Sequence, residues 1–187
     1  MAHGWLARND ALSWTIHGVD VAPETRTRRE EYHWVASVLN ALGSNLHVLD
    51  AATGYVPNWH MMPYIAAACG HRITAVDSNA STVQMPTHPA VDRAIMDISK
   101  LDYPDDSFDA VLCISTLEHM DIADAATIVK ELLRVTRGPI ILTADKAEWL
   151  PSLLVGKADI GEPMPWTGPH LSPPVYVLDG YKLAIAI

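Results

Sequence analysis

Three aspartates, Asp50, Asp77 and Asp97, each close a short apolar run: LHVLDA, RITAVD and RAIMDI. A carboxylate at a strand end can accept hydrogen bonds from both hydroxyls of a ribose. Between the first two lies AATGYVP, in which Gly54 permits a close backbone approach. Gly54 and Asp77 are 23 residues apart, near the ~20 that separate a glycine loop from a ribose-binding acid. One aspartate at a strand end means little, because aspartate favours turns. Three at successive strand ends point to a site for an adenosine-bearing ligand. Glu118 and His119 follow the fourth apolar run, AVLCIS. An imidazole titrates near neutrality and can accept a proton from a nucleophile. The bland alternative is a histidine that caps the next helix or bonds a carbonyl.

These residues need a frame. EEYHWVASVLNALG predicts a helix with Trp34, Val35, Val38, Leu39 and Leu42 on one face. NWHMMPYIAAACG predicts a second helix ending near Gly70, with Pro63 in its first turn or kinking it. DIADAATIVKELLRVTRGP predicts a third, capped by Asp121, striped by Ile122, Ala125, Ala126, Val129, Leu132 and Leu133, and ended by Gly138–Pro139. IILTAD is a fifth strand, and NASTVQM a short helix at best. GEPMPWTGPHLSPP reads as loop. VYVLDGYKLAIAI reads as a hairpin about Asp179–Gly180. Alternating strands and helices predict a parallel sheet with helices on both faces, and a ligand beyond the carboxyl ends of the strands.

DISKLDYPDDSFDAVLCISTLEHM followed by ELLRVTRGPIILTAD resembles the class I S-adenosylmethionine-dependent methyltransferases, and VLDAATG and ITAVDSN fit that family's first two motifs. The resemblance spans roughly residues 46–146 and the final hairpin. It implies an α/β, doubly wound, Rossmann-like sheet of seven strands, ordered 3-2-1-4-5-7-6, with the last strand antiparallel. Residues 46–187 would be the cofactor-binding domain and 1–45 a helical segment or lid. S-adenosylmethionine would be the cofactor. The resemblance places its methionine portion near Asp50, Ala52, Thr53, Gly54 and Tyr55, its ribose on Asp77 and its adenine beside Ser78, Asp97 and Ile98. Ile114 and Ser115 would flank the methionyl or methyl end, with Glu118 and His119 as catalytic candidates. Relatives that bind a metal here carry a glutamate where this chain has Ser115, so no metal is expected. The glycine loop departs from the family: Ala52, Gly54 and Val56 occupy its three glycine positions. Alanine suits such a loop at negative φ. Val56 does not suit positive φ, which predicts a different helix start, at Pro57.

The composition bounds the rest. With 49% hydrophobic residues the 187-residue chain can bury a core. A net charge of −9 disfavours nucleic acid, and the one basic cluster, RTRRE, with Glu30 and Glu31 beside it, reads as a solvated helix face. No apolar run is long enough to span a bilayer, the start lacks a signal-peptide pattern, and Cys69 and Cys113 are too few for a disulfide framework. A cytoplasmic enzyme acting on an oxygen or nitrogen of a small molecule is the first expectation. Trp5, Trp14 and Trp34 are candidates to line a lid. The short insertions predict an open site, or one completed by a second subunit of a homodimer. The alternatives are an inactive scaffold or partner subunit with weak or no cofactor binding, and another enzyme using the same cofactor.

Overall fold

The computed structural model describes residues 14–16, 19–21, 26–55, 61–143, 163–164, 175–177 and 183–186. A two-stranded antiparallel ribbon, β1 (Trp14–Ile16) and β2 (Val19–Val21), precedes helix α1 (Arg26–Leu42). The N-terminal segment is therefore not wholly helical, because the alternating WTI and VDV stretches pair with each other before the helix begins. Strand β3 (His47–Ala51), helix α2 (Met62–Ala68), strands β4 (Arg72–Asp77), β5 (Val91–Ile95) and β6 (Ala110–Ile114), helix α3 (Ile122–Val135) and strand β7 (Ile140–Thr143) follow. Three short strands end the chain: β8 (Pro163–Met164), β9 (Val175–Val177) and β10 (Leu183–Ala186).

The first five strands of the main sheet run parallel in the order β5-β4-β3-β6-β7. This is the expected 3-2-1-4-5 arrangement, and its order reverses between β3 and β6. Alternate residues feed two cores, as the two-residue period of a strand requires. Val48, Ile73, Leu112 and Ile141 pack under α1 and α2 with Tyr32, Val35, Leu39, Met62 and Ile65. Leu49, Val76, Val111, Cys113, Ile140 and Leu142 pack under α3 with Ala125, Ile128, Val129, Leu132 and Val135.

The helix stripes run close to those expected, with their ends rotated outward. Leu42 and Ile122 are exposed, while Tyr32 and Ile128 are buried in their stead. The Asp121 carboxylate accepts from the Ala123 and Asp124 amides and caps α3. Pro63 sits in the first turn of α2, where its missing N–H is harmless. The start expected at Pro57 lies outside the described residues. NASTVQM forms a 3-10 turn over Ala80–Gln84, capped by Asn79.

The far edge departs from expectation. Strand β10 does lie beside β7, but parallel to it, and the antiparallel strand is β9. Among the described residues the sheet has eight strands, because β8 forms inside the stretch read as loop and pairs antiparallel with β9. The outer strands of this three-stranded meander, β8 and β10, share one direction, and β10 runs with β7. The Asp179–Gly180 turn lies outside the described residues.

Candidate functional site

Loop 52–55 leaves β3 and is stitched to β4. The Thr53 amide donates to the Val76 carbonyl at 3.0 Å. The Gly54 amide donates to Asp77 Oδ2 at 3.0 Å, and Thr82 Oγ1 donates to the Gly54 carbonyl at 3.0 Å. Asp77 Oδ1 accepts from the Asn79 amide at 2.9 Å. One carboxylate thus fixes both the loop after β3 and the turn after β4. Each of its oxygens keeps a lone pair for a further donor.

Ala52 and Gly54 both adopt positive φ, +60° and +85°. Ala52 therefore does not take the negative φ expected of it. The loop keeps the glycine-type conformation, at a cost of ~1–2 kcal/mol for a side chain in the left-handed region. Tyr55 is exposed at the rim, and Val56 lies outside the described residues.

Asp50 is not at the tip of its strand. It pairs with Ala75, two residues before Asp77, and is wholly buried. Among the described residues neither of its oxygens has a hydrogen-bond partner of good geometry, although the buried Thr53 hydroxyl lies close enough to lower the carboxyl. Burial pushes the Asp50 carboxyl up to about 7, against smaller lowering effects from Thr53 and Arg93.

Asp97 lies two residues past β5, since the strand ends at Ile95. Its Oδ1 accepts from the Ser99 amide at 2.8 Å, a bond that lowers its carboxyl below the usual range. Its carboxylate stays exposed. The Met96 amide donates to the Asp77 carbonyl, joining the ends of β4 and β5. Ser78 is exposed and Ile98 buried. Ile114 contributes its side chain to the core under α1 and α2, which leaves only its backbone at the site. His119 is exposed in a 3-10 turn over Leu117–His119, and Glu118 is half-buried beside it. No hydrogen bond links the His119 ring to loop 52–55 among the described residues.

Ser115 follows β6 with φ +45°, a second strained non-glycine position at this edge. Its amide donates to the carbonyl and hydroxyl of Thr143, each at 2.9 Å. Its hydroxyl donates to Glu31 Oε1 at 2.8 Å, and the Thr143 hydroxyl donates to the same oxygen. Glu31 is therefore not part of a solvated face. It ties α1 to the carboxyl ends of β6 and β7, and reading the apolar stripe of α1 one turn further back would have found it. Among the described residues no group of three or more His, Cys, Asp and Glu is placed to hold a metal ion. No described helix is long and apolar enough to cross a membrane.

The segment ELLRVTRGP acts as scaffold. The Arg134 guanidinium donates to the Leu101 and Tyr103 carbonyls and to Glu131 and Asp105, tying the end of α3 to the turn before β6. Arg137 pairs with Asp109 at 2.7 Å. A Cβ on Gly138 would sit 1.8 Å from the Asp109 carbonyl oxygen, so only glycine fits.

Residues 49–139 match the family described as methyltransferase domain. No curated protein matches the sequence. Among solved structures the chain is similar to magnesium protoporphyrin IX methyltransferase from Synechocystis, solved with S-adenosylmethionine, at 17% identity and a TM-score of 0.59, over 78% of this chain and 79% of that one. It is similar to 1,6-didemethyltoxoflavin-N1-methyltransferase from Burkholderia thailandensis at 19% identity and a TM-score of 0.53, over 78% and 85%. A protein described as a methyltransferase of an antibiotic biosynthesis pathway in Anabaena variabilis matches at 24% identity and a TM-score of 0.53, over 63% of this chain. The chain spans only 47% of the length of that protein. At these identities the likeness speaks for the fold. Sheet order and the match over residues 49–139 support the class I S-adenosylmethionine-dependent methyltransferases as the family of this domain, with S-adenosylmethionine as the cofactor.

Proposed function

We propose that the chain binds S-adenosylmethionine beyond the carboxyl ends of β3, β4 and β5 and transfers its methyl group to an oxygen or nitrogen of a small-molecule acceptor. The observation that carries this reading is the fully buried Asp50 carboxyl near the end of β3, without a well-formed hydrogen bond among the described residues. A buried polar group without a partner costs ~1–3 kcal/mol or more, and an ammonium-bearing ligand would relieve that cost. Asp77 retains acceptor capacity for ribose hydroxyls, and Asp97 stands at the end of the neighbouring strand for the adenine. The residues present therefore fit the cofactor.

When bound, S-adenosylmethionine supplies a methyl group already activated on a sulfonium. The protein's part is to align the acceptor and exclude water, which can lower a barrier by ~7–11 kcal/mol. Ser115 and Glu31 would border the acceptor end, and His119 would take a proton where the acceptor must lose one. Residues 46–187 would form the catalytic unit, with residues 1–45 as its lid. Two structural neighbours named for small-molecule substrates support that acceptor class.

The second reading is a scaffold that binds the cofactor weakly or not at all. The observation favouring it is Ala52, strained at φ +60° where glycine is relaxed. Calorimetry with S-adenosylmethionine and S-adenosylhomocysteine separates the two. The enzyme reading expects binding, weakened ~100-fold or more in Asp77→Ala, since two bonds to a charged acceptor at ~1.5–3 kcal/mol each are lost. Absence of heat at millimolar ligand overturns it.

A further inference from the structure

Across the sheet the register places Asp50 of β3 opposite Ala75 of β4, and Ala75 opposite Arg93 of β5. Paired residues of parallel strands point to the same face, so Asp50 and Arg93 stand in one row with a single methyl group between them. Arg93 belongs to an edge strand, yet two of its guanidinium nitrogens, Nε and Nη1, are buried and have no partner among the described residues. Its remaining nitrogen, Nη2, donates to the Tyr64 hydroxyl at 3.1 Å, and its Cζ lies 5.4 Å from the centre of the Tyr64 ring. Tyr64 in turn donates to the Pro86 carbonyl at 2.6 Å. Helix α2 thus pins the far edge of the guanidinium and leaves its other donors in the interior.

We propose that Arg93 is a positioning residue for Asp50: from two strands away, across the small Ala75, its guanidinium draws the buried carboxyl toward the ionised form that an ammonium-bearing ligand requires. This rests on the cofactor reading above. Among the described residues, the groups that act on the Asp50 charge are the Thr53 hydroxyl, Arg93 on β5 and Asp77 on β4, and Asp50 in turn raises Cys113 on β6. Asp77 opposes ionisation of Asp50, and Arg93 is the cation that favours it. Cys113 is fully buried and pushed up to about 12, so its thiol stays neutral. Two strand spacings separate the two backbones by about 10 Å. At an effective dielectric of ~20, the attraction over a distance of that order moves a carboxyl midpoint by about 1 pH unit.

The test follows the Asp50 carboxyl by carbon-13 NMR in the ligand-free protein, and S-adenosylhomocysteine affinity by calorimetry from pH 6 to 8.5, in the parent, Arg93→Met and Arg93→Lys. In Arg93→Met the Asp50 midpoint should rise by about 1 pH unit, affinity at pH 7 should fall about fivefold, and the loss should shrink as pH rises. Arg93→Lys should restore most of both. An unmoved midpoint in a folded Arg93→Met protein overturns the proposal. If that variant does not fold, Arg93→Gln supplies the same comparison. A midpoint that moves in a protein that binds no S-adenosylhomocysteine keeps the coupling and refutes the cofactor reading.

Discussion

Replacing Asp50 by asparagine should make the protein more stable at pH 8 while depriving it of its ligand. Burial lifts the Asp50 carboxyl from 3.8 to about 7. The folded state therefore holds this proton more tightly than the unfolded chain does. As pH rises through the window between those values, the unfolded chain loses its proton first and is stabilised relative to the fold. At ~1.36 kcal/mol per pH unit, ionised Asp50 disfavours the fold by roughly 4 kcal/mol above pH 7. At pH 5 the penalty is only roughly 2 kcal/mol, so parent stability should drop by roughly 2–3 kcal/mol between pH 5 and pH 8 on this account alone. Asparagine has nearly the same shape and cannot ionise. Urea unfolding of parent and variant at both pH values isolates the effect, since every other titrating group is shared. The gain from Asp50→Asn should grow by roughly 2–3 kcal/mol from pH 5 to pH 8, while S-adenosylhomocysteine binding weakens. A gain that is the same at both pH values would refute the reasoning.

Ala52→Gly relieves a left-handed φ of +60°. It should stabilise the fold by ~0.5–1 kcal/mol after the extra freedom of the unfolded chain is counted, a change measurable by thermal unfolding. Gly138→Ala forces a methyl group into the Asp109 carbonyl and should cost about 3 kcal/mol, seen as a lower urea midpoint. His119→Ala should lower turnover on an acceptor and leave S-adenosylmethionine affinity unchanged in calorimetry; equal turnover would give the exposed ring no part in proton transfer.

What the chain announces by itself is what it fixes locally. Asp121 caps α3 within three residues of itself, and Pro63 and the five apolar runs depend on near neighbours alone, so each was legible. The place of Asp77 at the end of its strand was legible, while its bond to the Gly54 amide was not read from the sequence. Glu31 and Arg93 were not legible, because their roles depend on register and on helix docking. The row Asp50–Ala75–Arg93 exists only once three strands are aligned. The positive φ of Ala52 was missed for a related reason: the residue type argued for negative φ, and the bonds made by Thr53 and Gly54 overrode it. At the far edge, the same apolar LAIA stretch can pair with β7 in either direction, so its orientation was set by an additional strand and not by its own residues.

Glu31 also sets a timetable for synthesis. Its bonds reach Ser115, 84 residues on, and Thr143, 112 residues on. Neither partner exists until most of the polypeptide has left the ribosome. The first helix can coil early, but it has nothing to dock against at this point until the fourth and fifth strands of the parallel core are in place. Closing loops of that length is slow, so the arrival of the first helix on the strand ends should be among the last steps of folding, and a nascent chain halted before Thr143 should leave it unattached there.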